Sequence, residues 1–332
     1  MMAMKSQIIR NYCFCALFTA LAALTGCQKD SETMQSAVPV NYELCVSSFT
    51  KGALINTGTS EEPLEVGGIT EFRTAAFNGS TSVFNTASAT PLVIETVSYA
   101  DGAWKMPEGH IYYWPQKTTL TFYAYANLPS VTGAASVSIA SDGSGQTLSY
   151  SAALLSSIDK QKDILLGYYS GKGNATGTAF ISFSHPLAAV RFKCGELEHV
   201  TAVSSISIES AYASGTCTPV YSDAGVPTFT WNANGSTTVS QTATDGFAVS
   251  EDALLGETFI LIPQSMTAQS STVRVTVKLD DGTSRNFDYQ LTSGSWAAGH
   301  VTEYTISIKD MAMRLIPKTL EDWDVVPGTL EW

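Results

Sequence analysis

The chain has 332 residues, with 18 basic and 30 acidic side chains, a formal net charge of −12, and 44% apolar against 14% charged residues. So much apolar side chain rules out a mainly disordered polymer, and the lack of a Lys/Arg stripe that could displace counterions from phosphates excludes nucleic acid as a partner. Serine and threonine supply 76 residues, hydroxyls that sit well on pleated surfaces, so the expected fold is all-β, in about two domains.

The first segment reads as an address. Lys5 and Arg10 precede a twelve-residue apolar run, Cys13 to Leu24, too short for a bilayer core that needs roughly 20 residues. It ends in Leu24-Thr25-Gly26-Cys27, which resembles the lipobox of bacterial lipoproteins: small residues suit the peptidase, and the Cys27 thiol takes the diacylglycerol. Residues 1–26 are therefore expected to be a signal peptide, and acyl chains on Cys27 the anchor in the outer membrane. Residues 27–40 are polar and aperiodic, a tether from lipid to fold.

Structure is expected from Asn41. Tyr112, Tyr113 and Trp114 before Pro115 either fill a core at a strand entrance or form a sugar-stacking platform. Leu120, Phe122, Ala124 and Ala126 share one strand face. Ser141-Asp142-Gly143-Ser144-Gly145 and Asp280-Asp281-Gly282 lack the alternating oxygens of a calcium loop and read as hairpin turns. A helical turn is expected within Ala152 to Gly167. The Gly-rich run Ser170 to Thr178 is the expected boundary between an N-terminal β-sandwich, residues 41–178, and a C-terminal one, residues 179–332.

In the second half, Ala188, Val190, Phe192 and Cys194 alternate with Arg191 and Lys193, and Val273 to Leu279 returns through Asp-Gly to Leu291 as a hairpin. These periods predict half-buried antiparallel strands. Of the thiols beyond Cys27, Cys194 and Cys217 can bridge in an oxidising compartment or serve as small buried hydrophobes. His110, His185, His199 and His300 have no Cys or carboxylate at metal-ligand spacing, so no metal and no cofactor is expected. His185 before Pro186 is expected to be structural, at a domain junction. No nucleophile elbow, phosphate loop or zinc-protease motif is present, and the chain does not read as an enzyme.

Five stretches carry a family resemblance when taken in order: Trp104 to Tyr125 (WKMPEGHIYYWPQKTTLTFYAY), Phe180 to Lys193 (FISFSHPLAAVRFK), Ile206 to Thr218 (ISIESAYASGTCT), Phe259 to Thr267 (FILIPQSMT) and Trp296 to Ile308 (WAAGHVTEYTISI). Together with the lipobox they resemble the fimbrillin family of Bacteroidia, lipoprotein pilins with two transthyretin-like Greek-key β-sandwich domains. The resemblance implies a stalk, tip or anchor subunit of an adhesive surface pilus, whose first strand is cut off by a trypsin-like protease and replaced by a strand of another pilin subunit, a β-strand addition. Asn41 to Phe49 matches that first strand, with Tyr42, Leu44, Val46 and Ser48 on one face and Cys45 and Phe49 on the other, and Lys51 stands where the family has an arginine for that cut. The closing segment Met311 to Trp332 either completes the second domain or donates the exchanged strand, with Leu315, Trp323, Val325 and Val326 as its apolar residues. A second function remains open, a surface glycan-binding lipoprotein that does not polymerise and uses Trp114 or Trp231; a host or bacterial surface ligand fits either.

Overall fold

The computed structural model describes residues 41–45, 69–84, 92–101, 103–114, 119–172, 178–222 and 227–320. Among these, nearly everything regular is β-strand, and the helical elements are two short 3-10 turns. The strands, numbered along the chain, are placed by the period-2 pattern that sends alternate side chains to opposite faces.

The largest sheet runs β1 (Asn41–Cys45), β10 (Thr178–Ser184), β9 (Leu165–Lys172), β6 (Thr119–Ala126), β2 (Glu71–Asn78), β4 (Glu95–Ala100) and β5 (Ala103–Lys105), with β3 (Thr81–Ser82) paired to β2. It curls until its two end strands, β1 and β5, approach each other. One face buries Phe72, Trp114, Leu120, Phe122, Ile181 and Phe183 in a common core. A second sheet draws on both halves of the chain. β7 (Ala135–Ile139) and β8 (Gln146–Ser151) pair with β13 (Ser214–Val220) and β14 (Thr228–Asn234) in the order β14-β13-β8-β7. Its buried face, Leu148, Tyr150 and Cys217, packs with Tyr123 and Leu166 of the large sheet and Ile260 from further on.

The remaining sheets form a sandwich. One is β15 (Thr237–Phe247), β12 (Val200–Ala211), β18 (Ser271–Leu279) and β19 (Ser284–Leu291); the other is β16 (Phe259–Leu261), β11 (Ala188–Leu197), β21 (Val301–Lys309) and β22 (Ala312–Leu320). Val273, Val275 and Val277 of the first meet Phe192, Ile306 and Leu315 of the second in one core. A small ribbon, β17 (Gln264–Ser265) with β20 (Ser295–Trp296), completes the set. The expected hairpin is present: β18 and β19 pair in antiparallel register. Gly282 takes φ +83° in its turn, and the Thr283 N–H donates to Asp281 Oδ1 at 2.8 Å.

Three expectations change. Alternation reports which face is buried and not which way a neighbour runs, and two seams are parallel: β1 on β10, and β11 on β21. The helical turn expected within Ala152 to Gly167 is two 3-10 turns, Ala152–Leu155 and Ile158–Lys160, followed by β9. That segment is held by its surroundings. Gln161 is buried, donates through Nε2 to Leu155 O at 3.0 Å and accepts the Ile260 N–H on Oε1 at 2.7 Å. Finally, the Gly-rich run expected to be a boundary joins β9 to β10, two paired strands of one sheet. The 178/179 division thus falls at the first residue of β10, and the chain passes from the large sheet to the sandwich at His185–Leu187.

Two further glutamines hold irregular backbone as Gln161 does. Gln241 Nε2 donates to Leu255 O and Glu257 O at 3.3 and 3.1 Å, while its Oε1 accepts the Glu257 N–H at 2.7 Å. Gln264, in the FILIPQ stretch, reaches the carbonyl of Ser210, a residue at φ +61° near the end of β12. An amide side chain suits these places because it carries both donors and an acceptor.

Candidate functional site

Strand edges are the parts of this architecture that can recruit another chain, because an edge presents unpaired N–H and C=O groups. β1 occupies one. It lies parallel to β10 from Asn41 opposite Thr178 to Cys45 opposite Ser182, and among the described residues β10 is its only hydrogen-bonded neighbour. On the far side of β10 lies β9, and below it the core residues Ala179, Ile181 and Phe183. Cys27 and Lys51, the expected lipidation and processing positions, lie outside the described residues.

β22 forms another edge, at the end of the sheet β16-β11-β21-β22. It pairs with β21 from Lys309 opposite Ala312 to Val301 opposite Leu320. The connecting turn has two residues, Asp310 and Met311, at φ +48° and +58°. Leu315 sits opposite Ile306 and is buried in the sandwich core, whereas the adjacent Ile316 is 58% exposed. Leu315 is thus engaged within its own fold, as a closing strand requires. Pro317, which cannot donate to a ladder, is tolerated on an edge strand of this kind. Trp323, Val325 and Val326, the other expected donor residues, lie outside the described residues.

The outer face of this sheet carries charge. Arg191 on β11 bonds Glu303 on β21 through Nε and Nη2 at 2.8 and 2.7 Å, and Lys193 Nζ stands 3.4 Å from the same carboxylate. The Glu303 side chain is 4% exposed. Lys318 of β22 stands opposite Glu303 in register.

The conspicuous single residues are mostly structural. Trp114 is buried against Phe122, and Trp231 on β14 donates its indole N–H to Pro186 O at 2.8 Å. Trp114 therefore offers no open platform, while Trp231 is partly buried. Tyr112 donates its hydroxyl to the buried Glu95 carboxylate at 2.5 Å, and burial followed by that carboxylate pushes the phenol well above its usual range. Three histidines have carboxylate partners from distant elements: His110 with Glu95 at 3.0 Å, His185 with Asp163 at 2.8 Å and His199 with Asp280 at 2.8 Å. Local spacing could not reveal these pairs, since the fold brings the partners together. Among the described residues no group of three His, Cys, Asp or Glu side chains could hold a metal ion, and no helix is long and apolar enough to cross a membrane. Cys194 and Cys217 are free thiols buried in separate cores. Burial raises both, Cys217 to about 12.

One aromatic grouping is barely marked in the sequence. Tyr168 of β9 and Tyr221, just past β13, stack with ring centroids 4.2 Å apart and planes 7° from parallel, and Tyr123 of β6 lies 5.7 and 6.1 Å from the two. The Tyr221 hydroxyl meets the amide nitrogen of buried Gln146. With Phe180 and Ser182 of β10, Tyr168 and Tyr221 line a cleft of about 310 Å³. The only hint available beforehand was the Tyr168-Tyr169 pair entering a Gly-rich stretch.

A family profile described as fimbrillin-like matches residues 69–323. No curated protein matches the chain. Among solved structures, a proposed cell adhesion protein from Bacteroides ovatus aligns with TM-score 0.52 at 16% identity, over 87% of this chain and 98% of its own. A fimbrial protein from Bacteroides vulgatus gives 0.48 at 13% identity, over 86% and 99%. The tip fimbrial protein Mfa3 from Porphyromonas gingivalis gives 0.41 at 10% identity, over 77% and 94%.

Proposed function

The chain belongs to the fimbrillin-like family, and from that premise we propose that it is a pilus subunit exported as a lipoprotein and assembled by strand exchange. The family is fimbrial and structural rather than enzymatic, which supports a role in a cell-surface fimbrium in association with other pilin subunits. In the finer reading, acylated Cys27 holds the precursor in the outer membrane, cleavage at Lys51 frees β1, and an incoming strand takes its place on β10. The two halves act as sandwich modules joined at His185–Leu187. The donor role falls to Trp323, Val325 and Val326 beyond β22, because Leu315 is committed to the sandwich core.

The observation that carries this reading is the position of β1 at the end of the sheet order, bonded to β10 alone among the described residues. A strand so placed can leave without breaking any other described pairing, and its departure exposes the edge and apolar flank of β10, the requirement for β-augmentation. The test is the N-terminal residue of protein recovered from cells, followed by controlled trypsin cleavage. Acylated Cys27 on the precursor, cleavage after Lys51 and polymers on removal of β1 are expected. Deleting residues 321–332 should leave cleavage intact and stop polymerisation. Cleaved protein that has lost β1 and stays monomeric overturns strand exchange, and a Cys27→Ser variant found in the outer membrane at the wild-type level overturns the anchor.

A further inference from the structure

We propose that the cleft between β9–β10 and the β13–β14 hairpin is a binding site for a neutral pyranose unit of a polysaccharide. The inference goes beyond assembly and does not depend on it. Its walls come from separate parts of the fold: Tyr168 and Ser170 from β9, Phe180 and Ser182 from β10, Tyr221 and Ser222 from the end of β13. In the pairing of the two strands Ser182 stands opposite Tyr168, so these two side chains project from the same face of the sheet.

The chemistry of the lining selects the ligand. Aromatic rings present flat apolar surface that suits the C–H face of a sugar ring. Serine and tyrosine hydroxyls both donate and accept, which matches a rim of sugar hydroxyls that do the same. None of the described lining residues is charged. A sulfate, phosphate or uronate would therefore meet no counter-charge among the described lining residues, in a protein whose net charge is −12. The volume of about 310 Å³ lies at the small end of ligand clefts, the size for one or two rings rather than a long chain.

The lining is also set before a ligand arrives. Tyr221 is fixed by its parallel stack on Tyr168 and by Gln146, and Tyr123, beside both rings, donates its hydroxyl to Gly143 O at 3.1 Å. Rings held in this way lose little freedom on binding, so more of the contact energy appears as affinity. Aromatic residues that served packing alone would close the space between them. Here Tyr168, Phe180 and Tyr221 are only partly buried and border an open cleft. An aromatic cage for a quaternary ammonium needs ring faces turned towards one centre, whereas Tyr168 and Tyr221 turn one face of each ring against the other.

Saturation-transfer NMR and direct titration on the purified, uncleaved full-length chain test the site. The probes are methyl pyranosides and neutral oligosaccharides of glucose, mannose, galactose and N-acetylglucosamine, with oligogalacturonate, a heparin fragment and choline as the contrasting arms. At least one neutral sugar should bind, with a Kd between about 1 μM and 1 mM. Two substitutions address the cleft differently: Phe180→Ala removes a wall, and Ser182→Trp fills the space without removing packing. Each should weaken binding at least about tenfold, with the melting transition of Ser182→Trp kept. Ile316→Thr, on the remote edge strand β22, should bind as the parent does. Failure of every neutral sugar, tighter binding of the acidic sugars or choline, or affinity unmoved by both cleft substitutions overturns the proposal. Because the protein is uncleaved and unpolymerised, none of these outcomes bears on strand exchange.

Discussion

Both halves of the chain open with a strand laid parallel to a later one, and the two seams differ in what flanks them. β1 is hydrogen-bonded to β10 and to no other described strand, whereas β11 lies between β21 on one side and β16 on the other. β11 is further locked by the backbone at Asp252 to Leu255, whose N–H and C=O groups bond Cys194 and Phe192, and by the Arg191–Glu303 pair. Similar pairing thus gives a strand flanked on both sides in one half and one flanked on a single side, among the described strands, in the other. What decides between them is the number of neighbours, and no property of the strand's own sequence is needed.

Proline placed in each strand should break that comparison most visibly. Val190 stands in register with Phe259 on one side and Thr302 on the other, so Val190→Pro should cost at least about 3 kcal/mol and abolish the cooperative urea transition or shift it far down. Leu44→Pro should leave the main transition in place and only speed amide exchange along β10. Equal effects on the main transition would show that β1 is as integral as β11.

The charge lock on β11 comes next. Glu303→Ala leaves Arg191 and Lys193 beside a buried void and should cost about 3 kcal/mol, measured by chemical denaturation. The paired replacement Arg191→Met with Glu303→Leu should recover most of that loss. The hairpin that holds β21 beside β11 offers a smaller gain. Met311 takes a left-handed conformation in its two-residue turn, so Met311→Gly should stabilise by about 1 kcal/mol, seen as a higher melting temperature.

The smallest effect lies at the other end of β11, where His199 follows the strand and meets Asp280 in the β18–β19 turn. The Asp280 hydrogen bond and charge raise the His199 imidazole above 6.5. A raised histidine contributes its stabilisation in full at pH below 6.5 and loses it as pH rises through the folded value. Both groups are solvent-exposed, so the change should be visible as an upward-shifted NMR titration that Asp280→Asn returns towards normal, with little movement of the melting curve.

The strands that alternate strongly were legible before folding was known, among them Val273 to Leu279 and Ala188 to Cys194, because period 2 is a local property of the chain. Strand direction was not. The parallel course of β11 and β21 depends on segments more than a hundred residues apart, and nothing at Arg191 announces Glu303. The Ala152 to Gly167 segment misled for a related reason. Its alanines and leucines favour a helix locally, and the buried Gln161 amide instead fixes two tight turns against β16. The tyrosine cleft stayed hidden because Tyr168 is an ordinary strand residue and Tyr221 an ordinary loop residue until the fold stacks them. Edges and clefts are relations between distant elements, so the places where this chain can meet a partner were its least legible parts.

The sheet that draws β7 and β8 from one half and β13 and β14 from the other has a mechanical consequence. Ser151 to Leu148 run against Ser214 to Cys217 across the divide, so the two modules cannot be drawn apart without rupturing that ladder. A subunit in a fibre under tension would meet the load with this cross-stitch as well as with the single covalent strand at His185–Leu187. A linker alone would let the modules extend like beads on a string. A sheet shared between the two halves resists their separation until its ladder breaks.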